Sequence, residues 1–319
     1  MKKKLSIMLA AAMTVSLIGC SGGGGSTSEP AADSEPAAAE AEAPEAEAPD
    51  AEAPAEGGDT AADANDSGEY TIATIVKLTG VAWFDRMEVG VNQFNDEHAN
   101  VDAYQTGANT GDPAAQIQVI EDAIAQGVDA ICVVPNSTES LETVLQKARD
   151  AGIVVITHEA SDVKNADYDI EAFDNSEYGA HFMEQLGEMM GGEGKYTTFV
   201  GSLTATSHNE WVDASVGLQE EKYPNMQVVE NKNETTEDSD KAYTRAKELL
   251  AANPDLVGFQ GSAMTDAPGI ARAIEEAGKE DSTYVIGTSL VSVAGQYLES
   301  GAIDEISVWD PALAGYAMN

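Results

Sequence analysis

The stretch TIATIVKLTGVAWFDR, residues 71–86, decides the fold of this chain. Its β-branched first half predicts a buried strand, which ends at a Thr-Gly turn. From Trp83 onward, apolar residues recur at helical spacing and predict a helix. A strand, a loop and a helix in this order form one βα unit of a parallel sheet. Ligands bind at the carboxyl ends of the strands in such sheets, so Lys77, Trp83 and Phe84 are candidate ligand-binding residues.

The alternation of strand and helix continues through the rest of the chain. Helix ends are marked by Gly127 and Gly152, and the last helix begins at Pro311. Repeated βα units of this length predict an α/β fold with doubly wound parallel sheets, and about 250 residues are enough for two such lobes. The further strands are predicted at residues 101–105, 130–134, 153–157, 168–173, 195–201, 227–230, 256–260, 284–287 and 305–309.

The first 69 residues have a different character from the rest. Three lysines precede an apolar run at residues 5–18, which is too short to span a bilayer and predicts a signal peptide at residues 1–20. The run ends in LIGC and resembles a bacterial lipoprotein box, in which Cys20 carries lipid; an ordinary signal with a chance cysteine is the alternative. Residues 21–69 hold fourteen acidic residues and no basic ones, which predicts a disordered acidic linker. We therefore expect an extracytoplasmic protein that is anchored to the cell membrane through Cys20.

Charge and cysteine content exclude some functions. Residues 70–319 carry 42 acidic and 13 basic side chains, and a net charge near −29 repels phosphate backbones, so we expect no nucleic-acid partner. Cys132 is the one cysteine after Cys20, which leaves no intramolecular disulfide. Since Cys132 lies in an apolar strand, we expect a core residue rather than a nucleophile.

Several segments together resemble one protein family. Residues 71–86, with Lys-Leu-Thr-Gly before an aromatic pair, resemble the first βα unit of the autoinducer-2 and rhamnose branch of sugar-type solute-binding proteins. Residues 126–130 and 151–156 resemble the first lobe of the same family. The resemblance covers residues 70–319 and implies the periplasmic binding protein type I fold, in which two doubly wound parallel-sheet lobes are joined by a hinge.

The resemblance also implies how the chain is divided. By comparison with the family, a final helix and a third crossover strand are missing, so we expect the C-terminus to be truncated. The implied divisions are a first lobe at residues 70–174, a second lobe at 175–308, and a return to the first lobe at 309–319.

The function implied by the family is ligand capture for an ABC importer. The two lobes close over one small sugar-like molecule, such as autoinducer-2, rhamnose or a related pentose or deoxyhexose, and the closed form docks on the membrane permease. We expect a monomer without cofactor or metal. The alternative is a sensor subunit that presents its ligand to a membrane receptor or kinase, and the sequence leaves that choice open.

The candidate site residues follow the predicted strands. Glu159 stands where the family has a carboxylate, commonly Asp, that grips the ligand. Residues 206–211, TSHNEW, resemble the family segment Thr-Asp-Gln-Asn-Gln-Trp, and Ser207 and His208 replace its ligand-binding Asp and Gln, which points to a changed hydroxyl pattern. The ligand-binding candidates are Lys77, Trp83, Phe84, Glu159, Ser207, His208, Asn209, Gln260, Ser262 and Asp310.

Other roles stay open for some of these residues. Lys77 could be a plain surface lysine, one aromatic ring could belong to the core, and Ser207 and Asp310 could cap helices. A metal site or a catalytic His-Glu pair is disfavoured, because no His-x-x-x-His pair, nucleophile elbow or phosphate loop is present. We therefore expect a binding protein rather than an enzyme.

Overall fold

The computed structural model describes residues 69–319 of the chain. The predicted signal peptide, the lipidation site Cys20 and the acidic linker up to residue 68 lie outside the described residues. Within residues 69–319, no helix is long and apolar enough to cross a membrane. The strands and helices of this part alternate along two parallel sheets.

The first sheet has the strand order β2-β1-β3-β4-β5, with every neighbouring pair parallel. Its strands are β1 Tyr70–Val76, β2 Val101–Gly107, β3 Ala130–Val133, β4 Val154–His158 and β5 Tyr168–Ile170. The helices of this lobe are α1 Ala82–Glu97, α2 Pro113–Gln126 and α3 Thr138–Asp150.

Strand β1 shows why the sheet is covered on both faces. Ala73 and Ile75 are buried in one apolar cluster, while Ile72 and Val76 point the other way into a second. Successive side chains of a strand face opposite sides of its sheet, so a continuous apolar run requires helices on both. The β-branched run of the sequence is therefore the centre of the first lobe.

The second sheet has the order β11-β10-β9-β6-β7, with β8 paired to β6, and its strands are also parallel. Its strands are β6 Glu193–Val200, β7 Asn225–Val228, β8 Asn233–Glu234, β9 Leu256–Gly261, β10 Tyr284–Thr288 and β11 Glu305–Ser307. The helices of this lobe are α4 Asn175–Met190, α5 Thr206–Lys222, α6 Ser239–Ala252, α7 Asp266–Ala277 and α8 Val291–Ser300.

The chain passes between the sheets twice in the described part, at residues 171–174 and 308–310. The two passages touch, because the rings of Phe173 and Trp309 pack edge to face with centroids 4.9 Å apart. After the second passage, helix α9, Pro311–Met318, packs on α1 of the first lobe. These passages form the hinge segments between the lobes.

The packing of α9 on α1 depends on two glycines. A Cβ at Gly90 of α1 would lie 1.8 Å from the Ala312 carbonyl oxygen, and one at Gly315 of α9 would lie 2.4 Å from the Met87 carbonyl oxygen. Real side chains do not approach backbone this closely, so the helices can cross at this distance only with glycine at both contacts. The same face holds Cys132, which is buried as expected, and burial raises the pKa of its thiol to about 12.

The predicted fold class, two doubly wound parallel-sheet lobes, is confirmed. Several strands differ in detail from their predicted bounds. Strand β5 ends at Ile170 rather than residue 173, because its partner β4 stops at His158, where Glu159 turns into a left-handed conformation with φ 58°. Strand β11 likewise ends at Ser307 instead of 309, and β8, only two residues long, has no hydrophobic pattern by which the sequence could show it.

Candidate functional site

The carboxyl ends of both sheets face a small cavity between the lobes. It has a volume of about 20 Å³, room for about one water molecule. Its polar lining is Lys77, Glu159, His208, Glu237, Ser262 and Thr288. Its apolar lining is Val81, Trp83, Phe84, Trp211, Met264 and Trp309. We call this space the inner cavity.

Lys77 is the centre of the polar side. It ends the apolar strand β1, is only 4% exposed, and its Nζ lies 3.5 Å from Glu159 Oε2 and 3.8 Å from Glu237 Oε1. Glu159 belongs to the first lobe and Glu237 to the second, so one ammonium joins carboxylates from both lobes. The Ser207 hydroxyl of α5 also donates to Glu159 Oε2, at 3.2 Å.

The two carboxylates differ in their electrostatics. Burial opposes ionisation of Glu159, but the Lys77 ammonium and the Ser207 hydroxyl outweigh it and hold the pKa of Glu159 below its usual value. For Glu237 burial prevails, and neighbouring Glu159 adds to it, so the pKa of Glu237 is raised although Lys77 opposes this. Glu159 is therefore the firmly ionised partner of Lys77.

His208 is a neutral hydrogen-bond donor to the inner cavity. Its Nδ1 accepts the backbone N–H of Gly201 at 3.2 Å, so Nε2 carries the hydrogen. Burial and the nearby Lys77 charge lower the pKa of His208 to about 3, which keeps the ring uncharged at neutral pH. A neutral imidazole here suits a hydroxyl or carbonyl oxygen better than an anion.

The apolar side is built from aromatic rings. Trp309 packs edge to face against Trp83 and Trp211, with ring centroids 4.6 and 5.7 Å apart. Trp211 Nε1 donates to Asn175 Oδ1, whereas Trp309 Nε1 and Ser262 Oγ are buried and make no hydrogen bond within residues 69–319. Since buried donors are rarely left unpaired, both are free to bind a ligand that enters here. Ring faces beside a few convergent polar groups are typical of small-molecule sites.

The lobes are closed on each other around the inner cavity. The hydroxyls of Thr138 in the first lobe and Thr206 in the second lie 3.1 Å apart, and both donate to Asp162, at 3.0 and 2.8 Å. Ser161 donates to Glu210 of the second lobe at 3.0 Å. These hydrogen bonds join the two lobes across the cleft.

The family comparison matches this architecture over most of the chain. A sequence profile described as "Periplasmic binding protein domain" matches residues 72–319, which is both lobes and the whole cleft. The chain belongs to the periplasmic binding protein family. This assignment agrees with the family that the sequence resembles; its narrower branch is a matter of ligand and is taken up below.

Relatives of this periplasmic binding protein carry sugar-binding names. A D-ribose/D-allose-binding protein of Pseudomonas aeruginosa is 25% identical over 76% of this chain and 78% of its own. A carbohydrate transporter solute-binding protein of Agrobacterium radiobacter, solved with D-arabinose, is 25% identical with a TM-score of 0.74, over 78% of this chain and 86% of its own. LsrB of Clostridium saccharobutylicum, solved with AI-2, is 24% identical with a TM-score of 0.72, over 78% and 79% of the two chains, and shows the fold alone.

Most of the predicted site residues of this periplasmic binding protein meet at the cleft. Ser207, although not in the cavity wall, is bonded to Glu159. No group of His, Cys, Asp and Glu suited to a metal ion is found in the part of the chain that the structure describes. The predicted residues that line the inner cavity are Lys77, Trp83, Phe84, Glu159, His208 and Ser262.

Three predicted residues lie away from the inner cavity. Asn209 donates to the carbonyl oxygens of Ser202 and Ala205 and so fixes the start of α5. Gln260 is fully buried and accepts a hydrogen bond from Ser215 at 2.6 Å. Asp310 caps α9 and accepts two hydrogen bonds from the Arg86 guanidinium, at 2.9 and 2.7 Å. The side chains of Asn209 and Asp310 are thus occupied within the protein, whereas the buried Nε2 of Gln260 makes no hydrogen bond within residues 69–319.

Sequence reasoning missed Glu237, the second carboxylate of the inner cavity. It lies in the polar stretch 230–238, which has no hydrophobic period and no motif. The one signal was its position just before Asp238, the N-cap of α6, where a strand end meets a helix start. The same rule of strand carboxyl ends that selected Glu159 would have selected Glu237 if β8 had been recognisable.

Proposed function

We propose that this protein is the extracytoplasmic solute-binding component of an ABC importer. It binds one small, uncharged, sugar-like molecule in the cleft between its lobes and delivers that molecule to a membrane permease. The observation that carries this proposal is the inner cavity, where a buried ammonium–carboxylate pair faces three tryptophans. Membership of the family and the sugar-binding names of the relatives support it.

The chemistry of the cavity favours a neutral polyhydroxy ligand. Lys77, His208, Trp309 and Ser262 offer donors, while Glu159 accepts hydroxyl hydrogens through charge-assisted bonds, about twice as strong as neutral ones. The ammonium is already paired with carboxylates, so an anionic ligand gains little from it. Tryptophan faces suit the C–H surface of a sugar ring.

The candidate ligands are autoinducer-2, rhamnose and related pentoses or deoxyhexoses. The Lys-Leu-Thr-Gly loop and the aromatic pair favour this group, and a solved relative with L-rhamnose adds to the sugars found among the structural neighbours. Ser207 and His208 favour a ligand whose hydroxyl pattern differs from that of autoinducer-2. Anchoring through lipid on Cys20 is part of the proposal.

Binding closes the cleft in this proposal. A ligand that touches Lys77 and Glu159 in one lobe and His208 in the other favours the closed state by the free energy of these shared contacts. The test is a thermal-shift and calorimetric screen of D-ribose, D-allose, D-arabinose, L-rhamnose and autoinducer-2, followed by small-angle scattering with the best ligand. We expect one sugar to bind and to compact the protein. Failure of the whole panel to bind, or binding without compaction, contradicts the proposal.

A further inference from the structure

The segment that carries Glu237 is held in an unusual backbone conformation. Thr236 and Glu237 have φ values of 54° and 58°, and Glu159 across the cleft has φ 58°. A left-handed conformation costs a residue with a side chain about 1–2 kcal/mol. Such residues cluster at ligand sites, and here both carboxylates beside Lys77 are presented in this way.

The neighbouring residues leave a place for the Glu237 carboxylate. A Cβ on Gly201 would lie 2.4 Å from Glu237 Oε1, so glycine at the end of β6 is what lets this carboxylate enter the cavity. The Gly201 carbonyl accepts the N–H of Thr236 at 2.7 Å, and its N–H is held by His208. Gly201, His208 and Glu237 therefore lock one another in position.

Glu237 also marks a boundary in the cleft. Together with Lys77 it lines both the inner cavity and a second space of about 250 Å³ towards Gly111 and Asn136. The inner cavity alone is too small for a sugar ring, whereas this outer space gives the carboxylate room to yield. Its Oε1 is 3.8 Å from Lys77 Nζ, a loose contact that a ligand hydroxyl can replace.

We propose that Glu237 is a specificity-determining residue, which accepts a hydrogen bond from one ligand hydroxyl on the second-lobe side while Glu159 accepts on the first-lobe side. This rests on the proposed sugar-binding function and narrows it. The ligand is an uncharged sugar or polyol with free hydroxyls on two opposite edges. Sugar acids and sugar phosphates are rejected, because two buried carboxylates face them and only one ammonium compensates.

The electrostatics of the cleft agree with this role. In the closed cleft, burial and the charge of Glu159 raise the pKa of Glu237, although Lys77 opposes this. A ligand hydroxyl adds a donor to a carboxylate whose contact with Lys77 is the loose one at 3.8 Å. Asp266, the nearest buried acid behind it, is already satisfied by the Thr235 hydroxyl at 2.7 Å and the Ala263 N–H at 2.8 Å.

The test compares Glu237→Gln with a matched control, Glu234→Gln, in calorimetric titrations. Glu234 lies three residues away and lines only the outer space, where it accepts from Ser202 and Leu203. The probes are whichever of D-ribose, D-allose, D-arabinose and L-rhamnose the unaltered protein binds most tightly, and the set of its monodeoxy analogues. We expect Glu237→Gln to lower affinity for the parent sugar about ten- to hundredfold and Glu234→Gln to leave it unchanged.

The deoxy analogues separate a ligand contact from a structural effect. For the one analogue that lacks the hydroxyl bound by Glu237, the variant and the unaltered protein should bind equally well. A uniform loss over all analogues, or no loss at all, overturns the inference. Glu237→Asp, which keeps the charge but withdraws it by one methylene, should show the same selectivity with a smaller loss; melting temperatures without ligand verify that both variants fold.

The outcomes also separate this inference from the proposed function. If the unaltered protein binds none of the sugars, both the proposed function and the proposed role of Glu237 are wrong. If a sugar binds and Glu237→Gln binds it equally well, only the role of Glu237 is wrong.

Discussion

The two walls of the inner cavity are built in different ways. The first-lobe wall presents Lys77 and Glu159 from the ends of strands β1 and β4, which flank β3 in a sheet that is regular up to these residues. The second-lobe wall presents His208 from a helix start and Glu237 from a loop with left-handed backbone. The first wall is set by local sequence, whereas the second depends on contacts such as that between Gly201 and Glu237.

This difference suggests that the two walls have different roles in ligand binding. A regular strand end tolerates little change, so the first wall suits an anchor common to many ligands. A loop held by tertiary contacts can change its residues without disturbing a sheet, which suits the part of a site that selects among ligands. The comparison can be tested by perturbing each wall separately.

The largest effect is expected at the first wall. Glu159→Ala removes the ionised acceptor and leaves Lys77 with only the loose contact to Glu237, so we expect ligand affinity to fall more than about a hundredfold, with the fold retained. Isothermal titration calorimetry with the best sugar of the screen measures this. The control is Glu121→Ala, which removes a carboxylate from an exposed ion pair with Lys147. If Glu159→Ala keeps its affinity for the sugar, Glu159 is not the group of the first wall that anchors the ligand.

The next effect concerns His208 of the second wall and depends on pH. Its pKa is about 3 in the folded protein and about 6.5 when unfolded, so below pH 6.5 the unfolded state binds a proton that the folded state does not. Stability is therefore lost as pH falls, by about 1.4 kcal/mol at pH 5.5 and roughly twice that at pH 4.5. Urea unfolding of the unaltered protein and of His208→Gln measures the difference. Equal acid sensitivity in both proteins would show that the imidazole is not held neutral.

A smaller effect is expected from Gly201→Ala. The new methyl group would meet the Glu237 carboxylate and push it from the cavity, so we expect about a tenfold loss of affinity, or about 1.4 kcal/mol, without loss of the anchor. Combining Gly201→Ala with Glu237→Gln tests the mechanism, because two changes that act through one contact are not additive. If calorimetry shows that the losses of binding free energy are additive, Gly201 does not act through Glu237.

The smallest effect on binding is expected at Asp310. Its carboxylate is bonded to Arg86 and caps α9, so Asp310→Ala should cost stability of about 1 kcal/mol through the lost cap and ion pair. Ligand affinity should change less than about twofold, since the side chain lies outside the cavity wall. Urea unfolding and calorimetry on the same preparation measure the two quantities. A large loss of ligand affinity would show that Asp310 contacts the ligand after all.

The sequence predicted the fold and the first wall because both follow from local patterns. The β-branched run before Lys77 and the one before Glu159 identify buried parallel strands, and the strand-end rule then selects the residues that follow. Arg86 and Asp310 could not be paired in this way, since the partners are 224 residues apart and only the packed α1 and α9 bring them together.

The second wall was harder to predict for the same reason. Nothing in residues 230–237 indicates a left-handed backbone, because no glycine marks it and the conformation is imposed by β6 and Gly201. For Gln260 the strand-end rule selected a residue whose buried side chain is bonded to Ser215, whereas Ser262, two positions later, lines the cavity. Tertiary contacts, rather than local preference, decide such positions.

The aromatic wall has a practical consequence. The chain contains three tryptophans, and Trp83, Trp211 and Trp309 all line the inner cavity. Its tryptophan emission therefore originates entirely at the inner cavity, and Trp309 also belongs to the second hinge segment between the lobes. The wavelength and intensity of tryptophan fluorescence can therefore be used to follow ligand binding and release in real time, without a label.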